Sequence, residues 1–157
     1  METLKEAIQY VEKIKSSGNL GHCPCCNQPV KVYRRKLNAR MTRALIEIYK
    51  ASKNNEEYIH VGELLTSLKI NAGNSEYSKL AYWKLLEIKP NTDPEKKDSG
   101  FWRLTDFGRS FVKNELSVFS HVFIYNTQRL AYDKGLKVNV IECLGKQFNY
   151  QKLMQNL

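Results

Sequence analysis

Apolar positions recur in steps of three and four over residues 3–16, where Leu4, Ile8, Val11 and Ile14 share one helical face. Gly18 and Gly21, in 17-SGNLG-21, supply a stop and a turn. The pattern becomes extended over 29–33 (PVKVY) and then returns to helical spacing over 39–52, with Met41, Leu45, Ile48 and Tyr49 on the apolar side and Asn38 placed as the N-cap. A loop at 53–57 and an extended stretch at 58–61 lead into a third helix over 62–70, followed by a turn at 71–75. Residues 76–90 begin with helical spacing (Tyr77, Leu80, Ala81, Trp83) and end as a strand over 86–89. A polar stretch, 91-NTDPEKKDSG-100, separates that strand from a second one over 101–105, which predicts a hairpin with a long tip and a helix over 106–116 behind it. The segment 118–132 has strand composition and predicts a hairpin turning near Asn126-Thr127; the tail predicts two short helices around Gly145.

The chain of 157 residues is 42% hydrophobic and 26% charged, enough apolar content for a packed core. It divides by pattern into an N-terminal helix with a cysteine-rich turn (1–37), a central helical domain with a hairpin (38–116) and a C-terminal extension of hairpin and helices (117–157). No apolar run approaches the roughly 18 residues of a membrane span. The N-terminal helix carries Glu2, Glu6 and Glu12 in place of the apolar core of a secretion signal, which points to the cytoplasm. In that compartment four cysteines serve as metal ligands or buried thiols rather than as disulfides.

The formal net charge of +9 favours a polyanionic partner, because each phosphate neutralised by Lys or Arg releases counterions. The surplus is concentrated between residues 31 and 43, where Lys31, Arg34, Arg35, Lys36, Arg40 and Arg43 occur without a single acid. Apolar residues interleave with them, so the run belongs to folded structure. These six cations are expected to form one phosphate-gripping footprint.

From residue 38 the order is helix, short strand, helix, helix, strand, charged loop, strand, helix. That order, together with 80-LAYWKLLEI-88 and 101-FWRLTDFGRSFV-112, resembles winged helix-turn-helix proteins, and Leu104-Thr105-x-x-Gly108 is similar to the motif that follows the wing in regulators of the MarR and PadR kind. Thr105 caps the new helix through its hydroxyl, Leu104 and Phe111 face inward, and Gly108 lets the helix pass close to its neighbours. The resemblance covers about half of the chain and implies an α+β winged-helix fold. It implies DNA binding through a recognition helix, with Tyr77, Ser78, Lys79, Tyr82 and Lys84 on its surface and Asn74 and Ser75 before it, and through the wing lysines Lys96 and Lys97. The helix lacks Arg, Asn and Gln, the strongest bidentate base readers. The overall pattern also resembles small bacteriophage and prophage proteins. A protein-binding module of the same fold, inhibiting a host factor through its basic face, is the alternative.

Cys23 and Cys26, in 22-HCPCC-26, have the spacing of a zinc knuckle, with His22 or Cys25 as the nearest third ligand. A complete ribbon would need a second pair. Cys143, His60 and His121 do not provide one at ligand spacing. A local site with a distant ligand, a metal shared between two copies, and a knuckle that keeps only its turn all remain open. No βαβ pattern surrounds the pair to suggest thioredoxin-like chemistry, and no phosphate loop, nucleophile elbow or His-rich motif occurs. The sequence therefore predicts a binding protein rather than an enzyme.

Overall fold

The computed structural model describes residues 3–17, 20–52, 57–70, 76–95, 99–125 and 128–155. The chain is mixed α/β and falls into two compact units, one made of Met1–Lys36 with His121–Asp133, the other of Leu37–Ser120 with Lys134–Leu157. The division is interleaved, whereas the sequence pattern divides the chain serially at residues 37 and 116. The cause is strand pairing between distant segments, which local periodicity does not encode. No helix among the described residues is long and apolar enough to cross a membrane.

The smaller unit begins with α1 (Leu4–Ser17), of which only Ala7 and Ile14 are buried. Leu4 and Ile8 stay 69% and 53% exposed, so the predicted apolar stripe is only half covered within the described chain. Strands β1 (Gly21–His22) and β2 (Pro29–Val30) form a short antiparallel hairpin. A Cβ on Gly21 would overlap the end of the Ile14 side chain, so a larger residue there requires that side chain to shift where α1 meets the hairpin. Strand β3 (Tyr33–Lys36) then pairs antiparallel with a strand more than eighty residues later in the chain. In this three-stranded sheet the later strand is central, and the hairpin predicted around residue 126 supplies both of its C-terminal members. Their ranges are His121–Tyr125 and Gln128–Tyr132, with a bulge between Phe123 and Ile124; Asn126 and Thr127 lie outside the described residues.

The larger unit is built on α2 (Ala39–Ala51). Asn38 caps it as predicted, its Oδ1 accepting the Met41 N–H at 2.9 Å. Met41, Thr42, Ala44, Leu45, Ile46, Glu47 and Ile48 are all buried, so the helix is enclosed on nearly every side. The buried Glu47 carboxylate is met by Lys50 at 3.3 Å, one helical turn on. Strand β4 (Ile59–His60) leads directly into α3 (Val61–Ser67), which His60 caps by accepting the Glu63 N–H through Nδ1.

Glu76–Trp83 forms a 3₁₀ helix where the sequence predicts an α-helix. Its apolar anchors explain the tighter winding. Tyr77, Leu80 and Trp83 are spaced by three, and a three-residue turn stacks them along one edge, whereas an α-helix would fan them out. Leu80 and Trp83 are fully buried, and the Trp83 indole N–H donates to the Phe119 carbonyl at 2.7 Å.

Beyond it come β5 (Leu86–Ile88), β6 (Phe101–Leu104) and α4 (Asp106–Val112), in the predicted order. The sheet order is β4-β6-β5, all antiparallel. Thr105 caps α4, its hydroxyl accepting the Gly108 N–H and donating to the Lys84 carbonyl. Leu104 and Phe111 are buried, as the motif predicts. Strand β7 (Val118–Phe119) pairs with a strand at Lys137–Val138, here β10 after the two sheet strands β8 (His121–Tyr125) and β9 (Gln128–Tyr132). Two short helices close the chain: α5 (Val140–Leu144), held by an Asn139/Glu142 capping box, and α6 (Tyr150–Met154), from which the Tyr150 hydroxyl donates to the Val112 carbonyl at 2.6 Å.

Gly108 and Gly62 offer a paired test of this packing. A Cβ on Gly108 would run into the Leu85 backbone carbonyl, while one on Gly62 would meet only the His60 imidazole at 3.4 Å. Gly108→Ala should therefore cost about 1–3 kcal/mol through forced displacement of α4. Gly62→Ala should be neutral or stabilising by a few tenths up to about 1 kcal/mol, because it adds a better helix former at no steric cost. Denaturant melts of the two variants decide this; equal losses would mean that α4 does not approach Leu85 so closely.

Candidate nucleic-acid interface

The basic run is split between the units. Lys31, Arg34, Arg35 and Lys36 belong to the smaller one, Arg40 and Arg43 to the larger. Every residue of β3 is exposed, and three of its four side chains are cations. The strand lies at a sheet edge, with β8 as its one partner. Charged side chains on an edge strand also guard it against pairing with other chains, a purely structural benefit.

Antiparallel register sorts these side chains by face. Tyr33 and Arg35 stand opposite Ile124 and Val122, both buried, while Arg34 and Lys36 stand opposite Phe123 and His121. On the first face the Tyr33 ring is 45% exposed and collects two cations: Lys31 Nζ lies 4.8 Å from its centroid and the Arg35 guanidinium 5.2 Å. On the second, Arg34 Nε meets Asp133 Oδ2 at 2.7 Å. His121 sits among Arg34, Asp133 and Lys36. Partial burial, then the positive charge of Arg34 and, more weakly, Lys36, lower its pKa against the opposing pull of Asp133.

Other predicted contacts are less free. Arg40 is exposed on α2, but Arg43 is half-buried, its guanidinium 5.2 Å from the Phe148 ring and its Nε buried without a hydrogen-bond partner. Arg43 is thus a packing residue of the larger unit. On the 3₁₀ helix, Tyr77, Ser78, Lys79 and Tyr82 are all half-buried, and the Tyr77 ring stands edge-on to Trp102 at 6.0 Å. Lys84, at the end of that helix, is exposed, with a left-handed backbone at φ 60°. Asn74, Ser75, Lys96 and Lys97 lie outside the described residues.

Sequence reasoning missed cations that the sheet gathers from elsewhere. Arg129 on β9 lies 4.2 Å from the Tyr132 ring, and Lys15 of α1 lies 4.8 Å from that of Tyr125. The one signal available was their place inside a predicted hairpin and helix; the β3–β8 pairing that brings them to one unit is non-local.

The cysteine turn is a folded knuckle. Cys23 N–H donates to the Gln28 carbonyl and Asn27 N–H to the Cys23 carbonyl, both at 2.8 Å, and Asn27 adopts the left-handed region at φ 59°. Backbone N–H groups of Cys26 and Cys25, with the Cys26 and Cys25 thiols, donate toward the Cys23 sulfur and lower its pKa. All four cysteines are free thiols. Among the described residues no three His, Cys, Asp or Glu side chains converge as a metal-holding group.

The His121 environment generates a pH dependence. Its folded pKa lies below the ordinary 6.5, so the unfolded chain takes up the proton first. Stability is fully present above about pH 6.5 and should fall as the pH drops through and below that value. His121→Gln should flatten the loss between about pH 7 and pH 5. Thermal melts at both pH values check it, and a parallel loss in the variant would assign the effect to other groups.

The chain matches no protein-family model, no curated protein and no solved structure.

Proposed function

We propose that the chain is a DNA-binding winged-helix protein that holds the phosphate backbone chiefly through strand β3. The observation that carries this is a strand with Tyr33, Arg34, Arg35 and Lys36 all exposed, held straight by its ladder to β8. Cations on a strand are fixed in direction and spacing, whereas the same residues on a loop would have to be ordered on binding. Phosphate contacts of this kind position a protein without reading sequence. The larger unit supports the winged-helix part of the reading. Its order α2, β4, α3, 3₁₀ helix, β5, β6 and its β4-β6-β5 sheet are similar to that fold, with the β5–β6 hairpin as the wing. The role is binding rather than catalysis.

One observation favours the protein-binding alternative. The half-buried Tyr77, Ser78, Lys79 and Tyr82 leave the recognition segment few side chains for base edges. A module of the same fold that docks on an acidic protein surface would need none.

DNA retention at varied salt separates the two. Each phosphate neutralised contributes about 0.9 to the slope of log affinity against log salt, so Arg35→Ala with Lys36→Ala should lower that slope by about one to two, on every sequence alike. Lys84→Ala should lower it by about one or less. An unchanged slope in the double variant would remove β3 from the interface. No retention by the unaltered chain at low salt would leave the protein-binding reading.

A further inference from the structure

We propose that the Cys23–Cys26 knuckle is one half of a zinc site, completed by the same pair from a second copy of this chain. The turn already has the form that grips a structural zinc ion from one side. Strands β1 and β2 hold its two ends together. Asn27, in a left-handed conformation that few residues other than Gly and Asn adopt readily, turns the chain back immediately after Cys26. Backbone hydrogen bonds close the turn, the Cys23 N–H donating to the Gln28 carbonyl and the Asn27 N–H to the Cys23 carbonyl, both at 2.8 Å.

A single copy supplies two thiolates from this pair, and structural zinc takes four ligands in a tetrahedron. His22 ends strand β1 and Cys25 lies between the two knuckle cysteines, yet neither joins Cys23 and Cys26 in a group of three metal ligands. The described residues bring no third His, Cys, Asp or Glu into a metal-holding group. Two identical pairs related by a two-fold axis complete the tetrahedron with four sulfurs. Pro24, Cys25, Cys26, Asn27 and Gln28 are all exposed, which leaves the tip of the knuckle open to a second copy. Four thiolates around one Zn²⁺ carry a net negative charge. A chain of net charge +9 with Lys31 just past β2 offsets it, and with it part of the repulsion between like-charged copies. Binding displaces the proton of each of the four thiols to solvent.

The test uses the full chain, reduced, stripped with a chelator and confirmed folded by circular dichroism, titrated with Zn²⁺ alone and then with Co²⁺ alone. The expected result is saturation at half an equivalent per chain. The mass should double from 18.3 kDa on metal addition, and Co²⁺ should give the intense absorption of a four-thiolate tetrahedral site. Cys26→Ser should abolish all three responses, and Cys143→Ser should leave them intact. Uptake of one metal per chain at monomer mass would overturn the shared site, as would uptake that survives Cys26→Ser. Failure of the folded chain to take up either metal would overturn the site altogether. These readouts need no nucleic acid, so they stand or fall separately from DNA binding.

Discussion

Helix α2 has Met41, Thr42, Ala44, Leu45, Ile46, Glu47 and Ile48 all out of water, so the rest of its unit has to close around it. A helix with one apolar stripe needs one partner; one apolar nearly all round needs several. The 3₁₀ helix, α3, α4, α5, α6 and β6 each pack against it, and none of them is longer than eight residues. Short elements suit this task because each covers one sector of a cylinder and then has to leave. The short α-helices among them are accordingly held by caps rather than by length: His60, Thr105, Asn139 and Asn149 each accept a backbone N–H through the side chain. The enclosure also fixes the polar exceptions. Thr42 satisfies its hydroxyl on the Asn38 carbonyl at 2.9 Å, and Glu47 keeps Lys50 beside it.

Much of this was legible in the sequence because it is local. The caps at Asn38 and Thr105, the hairpin of β5 and β6, the close approach at Gly108 and the two short C-terminal helices all follow from residue chemistry within a few positions. The 3₁₀ helix was missed for a specific reason. The spacing of Tyr77, Leu80 and Trp83 satisfies both a three-residue and a 3.6-residue period over so short a stretch, and only the demands of the core decide between them. The pairing of β3 with β8 was illegible for a different one. Tyr33-Arg34-Arg35-Lys36 has no apolar alternation to announce a strand, since its exposed edge position asks for none. The domain division read from pattern was serial for the same reason: nothing near residue 36 says that its partner lies at residue 121.

For the candidate site, the charge surplus was visible but its apportionment was not. Arg43 looks equivalent to Arg40 in sequence, yet it packs over Phe148 within the larger unit. Of the residues predicted on the recognition segment, Tyr77, Ser78, Lys79 and Tyr82 are half-buried, with the Tyr77 ring edge-on to Trp102, while Lys84 stays exposed. Side-chain type and spacing identify cations; only burial says which of them a partner can reach.

The way the accessible cations are held bears on what they can bind. With 25 Lys and Arg against 16 Asp and Glu, acids cannot pair them all, and aromatic rings take up part of the difference. Lys31, Arg35 and Lys137 lie over Tyr or Phe rings at 4.8–5.2 Å. A ring at an exposed site restrains a cation by only about 0.5–1 kcal/mol and leaves its charge unneutralised. A carboxylate partner would cancel that charge and would have to be displaced before a phosphate could bind, as Asp133 would at Arg34. Rings therefore order long, flexible side chains while keeping them ready for an anion. On β3 the two modes stand side by side: Arg34 is tied to an acid, and Arg35 rests on Tyr33 with its charge still available.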